Sequence, residues 1–504
     1  MTNPRRRARP QRQVGAIIQP PWRQPEFRYP PVEIISADAL EAIHQASLTI
    51  LETIGMRILS AEARALFAAA GAQVTGDIVR LDRGLVMEKL AQAPSSFRLH
   101  ARNPARDLQV GGRHAFFSAV GGPAYVSDLA GGRRAGTHAE MCDYLRLIQS
   151  LDILHQEGGG PFEALDLPQE TRHLDLHLAQ ITLLDKNWQP WALGRQRARD
   201  GIEMAAIMFG VPAEGLVDIP CLTVVINTNS PLQLDIPMAE GLIEMARFGQ
   251  PIVVTPFTLS GAMAPVTLAG ALAQQNAEAL AGIVLTQCAR PGNPVLYGAF
   301  TTNVDMRTGA PAFGTPEYAQ AAQISGQLAR RYNLPFRSSN ACVANGLDAQ
   351  AGYESMMSLW GALTGQAHMV MHAAGWMGGG LVASFEKLVI DADMLQMMAA
   401  WLVPPIVDDV SLGLDAIAAV GHGGHFFGTP HTLARYETAF YSPLVSDWDN
   451  HDNWRDRGSP TTAQRAAKVV EQLLAAYEPP PLDAAILEAL EAYVARRKRE
   501  ITGR

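Results

Sequence analysis

The chain has 504 residues, 48% hydrophobic and only 18% charged, which suits a body with a large buried core and excludes a largely disordered protein. A formal net charge of −8, from 41 basic and 49 acidic side chains, gives no overall attraction to nucleic acid or to an anionic membrane, so neither is expected as a partner. Cys142, Cys221, Cys288 and Cys342 lack paired spacing and read as buried free thiols; with no apolar leader or anchor, the expected location is the cytoplasm.

Residues 1–30 carry the one basic run, Arg5, Arg6, Arg7 and Arg9, in Pro/Gln-rich text, and read as a disordered tail. Residues 31–110 follow as a helical region, with amphipathic runs from Ser36 through Leu51 and from Ala61 to Ala70. From 111 to 403 the text becomes rhythmic. Apolar or β-branched runs fall at 114–120, 153–157, 189–193, 221–227, 251–256, 294–300, 335–340 and 367–372, each but the last followed by a helix-like segment before the next run. They recur at roughly the length of a strand-crossover-strand unit. Cys221-Leu-Thr-Val-Val-Ile-Asn227 is nearly continuously apolar, as a parallel strand covered on both faces should be. Residues 384–402 read as the eighth helix. The predicted fold class is α/β: a (β/α)8 TIM barrel with an N-terminal helical cap and, over 404–504, a C-terminal extension packed on the barrel. An open doubly wound sheet competes, but no Gly-x-Gly-x-x-Gly follows any run.

In such a barrel reactive groups gather at the carboxyl ends of the strands. Those ends offer Glu157 with the glycines after it, Asn340 after Ser338 and Ser339, and His372 through Trp376. This lining is rich in amides, hydroxyls and glycines and poor in Lys and Arg, which argues against a phosphorylated substrate. His422-x-x-His425 with His431, His173 with His177, and His368 with His372 have spacings that could hold a metal, yet no Cys or His-Glu-x-x-His accompanies them, and no metal site is expected. Gly-x-Ser-x-Gly is absent. A glycosidase-like pair of Glu157 with Glu354 or Glu386 stays open on sequence. Trp376, flanked by Gly375 and by Gly378-Gly379-Gly380, sits in an irregular loop, and with Tyr125 it offers ring faces of the kind that hold a desolvated cation. Tyr297, Tyr353 and Trp360 read as ordinary core.

Five segments resemble the trimethylamine methyltransferase family, whose members pass a methyl group from a methylated amine to a corrinoid protein. They are Ile43-His-Gln-Ala-Ser-Leu-Thr-Ile-Leu-Glu-Thr-Ile-Gly55, Ala93-Pro-Ser-Ser-Phe-Arg-Leu-His-Ala-Arg-Asn103, Val120-Gly-Gly-Pro123, Asp348-Ala-Gln-Ala-Gly-Tyr-Glu354 and Gly421-His-Gly-Gly-His-Phe-Phe-Gly-Thr-Pro-His-Thr432. Together they span nearly everything after the tail. The resemblance implies a (β/α)8 barrel. Archaeal members carry pyrrolysine in the barrel, whereas residues 338–348 here are all standard, so the chain looks like the non-pyrrolysine branch, in which glycine betaine demethylation is known. The implied reaction moves a methyl group from a small quaternary amine, glycine betaine or a relative, to the cob(I)alamin of a separate corrinoid protein. No tightly bound cofactor is expected in the chain itself, which lacks the Asp-x-His-x-x-Gly pattern that supplies a lower cobalt ligand. In this scheme Trp376 and Tyr125 hold the cationic head, and His372 and Asn340 donate to the betaine carboxylate. Glu157, Glu354 or Asp348 stabilises the cation or orients His372, while His425 and His431 shape the face where the corrinoid partner docks. A homo-oligomer is expected. A metal-dependent hydrolase or lyase on the same barrel and a non-catalytic betaine-binding protein remain as alternatives.

Overall fold

The computed structural model describes residues 17–503, so the basic run expected in a disordered tail lies outside the described residues. Residues 17–30, grouped with that tail on sequence, instead lie against the body. Gln24 brackets Gln109, accepting from its N–H at 2.7 Å and donating to its carbonyl at 3.0 Å, and Phe27 is buried.

The organising element is a six-stranded sheet, built because short apolar runs bury both faces at once. Its strands are β1 (Phe116–Phe117), β2 (Val224–Ile226), β3 (Ile252–Val254), β4 (Val295–Gly298), β5 (Phe336–Ser339) and β6 (Met369–Met371), in the spatial order β1-β6-β5-β4-β3-β2, and every pairing is parallel. β3 is buried at all three positions, each worth roughly 1.5–3 kcal/mol of transfer out of water. Isolated parallel bridges continue the pairing from Ser118 to Gln156, from Gln156 to Asn187, and from Trp188 to Leu222, two residues before β2. The third expected strand, at 189–193, therefore pairs just ahead of that range. Pro190 has no N–H to give a ladder, and the bridging falls to Asn187 and Trp188.

A helix follows each of these parallel segments. In chain order they are His138–Ser150, Arg172–Leu183, Arg195–Phe209, Ile236–Arg247, Leu268–Ala289, Pro316–Arg331, Ala349–Thr364 and Phe385–Trp401. Leu268–Ala289 is buried without a break from Ala271 to Gln287, polar side chains such as Gln275, Asn276 and Glu278 included, as expected for a helix covered on every side. The N-terminal region, expected to be helical, also holds short strands. Its helix Ala37–Thr49, capped by the Ser36 hydroxyl, packs on Leu268–Ala289, while helix Ala61–Ala69 lies against a four-stranded sheet whose members Gln73–Thr75, Ile78–Arg80 and Met56–Ile58 are completed by Gln233–Leu234 from the main body. Strands of two and three residues leave little periodicity to read.

At the other end, Thr462–Ala475 packs on Phe385–Trp401, and Ala484–Thr502 packs on Arg172–Leu183 and Arg195–Phe209. Tyr493 Oη and Arg497 Nε both donate to the buried Asp200 carboxylate, at 2.8 and 2.7 Å. Tyr353 and Trp360, expected in the core, are exposed instead, while Tyr297 is buried. Cys221 and Cys342 are buried, Cys142 and Cys288 half-buried, and none is in a disulfide. Among the described residues no helix is long and apolar enough to cross a membrane.

Candidate active site

The loops at the carboxyl ends of the strands enclose a cavity of ≈ 1020 Å³. Its inner wall is aromatic. The Trp376 indole meets the rings of Phe300 and Phe313 edge to face, with centroids 6.0 and 6.2 Å apart, and Phe257 lies 5.3 Å from Phe300. Edge-to-face packing fixes where these rings can sit, because a rotated neighbour would lose the favourable quadrupole contact. The loop that carries Trp376 is held by its backbone. Gly375 has φ +98°, and a Cβ there would stand 2.0 Å from the Tyr144 hydroxyl; a Cβ on Gly380 would stand 2.4 Å from the Trp376 ring. Only glycine fits either position.

Behind this loop a buried network holds it in place. Lys387 Nζ donates to Ser355 Oγ at 2.7 Å and to Asp391, whose other oxygen accepts the Gly375 N–H at 2.9 Å. The Cys342 thiol donates to the Trp376 carbonyl at 3.2 Å, a packing role.

His372 directly follows β6 in the left-handed region, φ +53°, with its ring lining the cavity beside Trp376 at a centroid distance of 4.2 Å. The Gly121 N–H points at its Nδ1 from 3.4 Å, leaving Nε2 as the protonated nitrogen of a neutral ring. Burial, aided by the Arg337 charge, holds the imidazole well below the usual histidine range.

Arg337 is the residue that sequence reasoning missed. It sits in β5, is 2% exposed, and its side chain lines the cavity. Nη1 donates to the Ala299 carbonyl at 3.3 Å, the guanidinium lies 5.3 Å from the Phe300 centroid, and Nε has no partner. No carboxylate among the described residues is paired with it. Burial pulls it down to about 10, which still leaves it charged at neutral pH. A guanidinium out of water without a counter-charge costs several kcal/mol, a cost that an anion in the cavity would offset. The signal in the sequence was an arginine inside Phe336-Arg-Ser-Ser339, a strand otherwise fit for the interior. The expectation of a lining poor in Lys and Arg is thereby corrected: Arg172 and Arg197 also reach the rim, Arg172 paired with Glu163 at 2.7 Å.

The other residues singled out on sequence fall elsewhere. Glu157 is fully buried, and both its oxygens are taken by the Gly159 and Gly160 N–H groups, at 2.8 and 2.6 Å, and by Gln180. Burial raises its carboxyl to about 7 against those donors. It shapes the loop that lines the cavity rather than facing it. Glu354 likewise accepts from Val343 N, Ala344 N and Gln350 Nε2, at 2.8, 3.1 and 2.8 Å, and buttresses the loop after β5. Asp348 caps helix Ala349–Thr364 through the Gln350 N–H at 2.9 Å. Asn340 donates to the Ala373 carbonyl at 2.9 Å and does not line the cavity. Tyr125, outside the cavity lining, lies under the Arg133 guanidinium at 4.0 Å. His425 is exposed against Phe427, and His431 bonds the Val410 carbonyl at 3.2 Å; neither lines the cavity. His173 pairs with Asp200 at 2.9 Å, and His177 accepts the Trp191 N–H, so that helix pair is packing. Among the described residues no group of three or more His, Cys, Asp or Glu is placed to hold a metal ion.

Comparison with known proteins adds an independent line. A family model described as trimethylamine methyltransferase (MTTB) matches residues 2–502. A glycine betaine methyltransferase of Desulfitobacterium hafniense (strain Y51) is 36% identical over 473 residues, covering 94% of this chain and 98% of that one. A trimethylamine methyltransferase MttB of Desulfitobacterium hafniense (strain DSM 10664 / DCB-2) is 30% identical over 477 residues, covering 92% and 94%. Among solved structures, the hydroxylamine complex of MtmB aligns with a TM-score of 0.46 at 12% identity, covering 86% of this chain and 92% of that chain.

Proposed function

The chain belongs to the trimethylamine methyltransferase family and is a methyltransferase, and from that premise we propose that it takes a methyl group from glycine betaine or a closely similar betaine. The observation that carries this reading is the pairing of Arg337, buried and without a carboxylate, with the ring wall of Trp376, Phe300 and Phe313. Arg337 and Trp376 flank the same Phe300 ring. A betaine presents the matching ends. Its carboxylate goes to the guanidinium and to the Nε2–H of His372. Its quaternary ammonium, with no N–H to satisfy, goes against the ring faces.

The chemistry that remains is a displacement at carbon. The C–N bond breaks with its electron pair going to nitrogen, so a tertiary amine leaves and no proton moves. The acceptor, in this reading, is the reduced cobalt of a separate corrinoid protein, which is a co-substrate and not a resident group. What the chain supplies is alignment of one N-methyl group and exclusion of water. A neutral His372 suits this, since a second cation beside the onium would oppose binding. Trimethylamine has no carboxylate, so it would leave Arg337 buried and unpaired, a penalty of order several kcal/mol against that substrate. Glu157, Glu354, Asp348 and Asn340 act here by holding the loops.

The six strands plus the two bridged segments, at Gln156 and at Asn187 with Trp188, make eight parallel segments, and we read them as a (β/α)8 barrel over 111–403 with 31–110 as a cap and 404–504 as an extension. The chain acts as a homo-oligomer in this reading. Incubating the protein with glycine betaine and free cob(I)alamin tests the reaction: the methylcobalamin spectrum should appear with dimethylglycine in equal amount. Affinity without product would favour a binding protein.

A further inference from the structure

Residues 404–440 leave the body at the end of helix Phe385–Trp401 and come back to the same helix, where the Tyr441 hydroxyl and the N–H groups of Leu444, Val445 and Ser446 converge on Asp393. Between those points lie the short helices Asp409–Leu412, Leu414–Val420 and Pro430–Leu433, none of which buries a residue. Their order comes from local bonds alone: the Asp408 and Thr429 caps, and His431 to the Val410 carbonyl. Helices of four to seven residues are marginal without packing. Yet the segment is strongly apolar, with Ile406 and Val407 each 77% exposed, Phe427 80% and Phe440 84%.

A second unpartnered apolar surface adjoins it. Trp401 stacks on Tyr29 at 5.5 Å and packs on Trp360 at 5.1 Å, and all three rings are exposed. Val403, itself exposed, lies between the two in the chain.

We propose that residues 404–440 and the Tyr29/Trp360/Trp401 platform together form the interface between two copies of this chain. Two facts favour a second copy over another protein. The exposed side chains amount to on the order of 1,000 Å² or more of apolar area, above the ~800 Å² per partner that a stable complex needs. So apolar a face is typical of permanent association, whereas a protein that docks and leaves at each turnover sits on a surface about as polar as the rest. Moreover the projecting arm and the platform belong to one chain, so a two-fold axis would let each copy cover the other's surface in a closed, isologous contact. This localises the homo-oligomer of the proposed function and rests on that part of it alone.

The test is mass in solution by light scattering, on wild type and on a Phe427→Glu/Phe440→Glu variant whose circular dichroism is checked. Wild type should have twice the 54.4 kDa chain mass or a higher even multiple. The variant should fall by at least half in mass. A monomeric wild type overturns both the interface and the homo-oligomer. An oligomeric wild type with an equally oligomeric, folded variant overturns the interface and leaves the homo-oligomer standing. Should the variant fail to fold, hydrogen exchange on wild type decides: amides of 404–440 should be protected and lose protection on dilution, and fast exchange at every concentration overturns the interface.

Discussion

His372 and Trp376 hold their rings 4.2 Å apart at 45°, with the imidazole kept neutral by burial and by the nearby Arg337 charge. Three residues of chain, Ala373, Ala374 and Gly375, separate them, and Gly375 at φ +98° makes the return possible. An imidazolium at that distance would compete with an onium for the same indole face. In Glu157→Gln, which removes the carboxyl that titrates near 7 behind the cavity loop, betaine affinity is therefore expected to stay flat between pH 6 and 8, measured by calorimetry; a fall of tenfold or more towards pH 6 in that variant would mean that His372 titrates in that range.

Trp376→Ala should weaken glycine betaine binding by roughly 10- to 100-fold, the size of a desolvated cation–π contact plus lost packing, while Trp376→Phe should retain most of the affinity. Equal affinity for wild type and the alanine variant would take the indole out of the cage.

Lys387→Met should cost about 3–5 kcal/mol in urea unfolding, because it leaves Asp391 buried without its cation. The same variant loosens the anchor of Gly375, so it should also weaken betaine binding at temperatures where it remains folded. A stability change below about 1 kcal/mol would show that the pair is not a structural support.

Glu157 titrates near 7 in the folded chain against 4.5 in its ordinary state. Between those values the folded protein keeps a proton that the unfolded chain has released, so the contribution is full below about pH 4.5 and is lost as pH rises through about 7. The loss should be about 3 kcal/mol. In Glu157→Gln the drop in stability between pH 5 and 8 should shrink by that order relative to wild type, and an unchanged drop would place the titration elsewhere.

Much of the scaffold was legible because parallel strands buried on two faces leave apolar runs, as at 251–256, and because helices such as Ile236–Arg247 follow them with clear periodicity. Segments such as Gln73–Thr75 and Gln233–Leu234 are too short for a period to register. At the site, Trp376 and His372 were legible from the glycines and from the strand end. Arg337 was not, since only the topology shows that a side chain from mid-strand reaches the cavity beside Phe300. Glu157 and Glu354 misled for the complementary reason: sequence places them at strand ends and in adjoining loops, but not the backbone N–H groups that consume their oxygens.

The most direct measurement compares glycine betaine with choline, an onium of similar size without a carboxylate, by calorimetry on wild type and on Arg337→Met. Wild type should prefer betaine by roughly 100-fold or more, the worth of a buried charge-assisted pair, and the variant should lose that preference while its weak choline binding stays within a few fold. Equal affinity for the two ligands in wild type, or a preference that survives in Arg337→Met, would contradict the assignment of Arg337 as the carboxylate anchor.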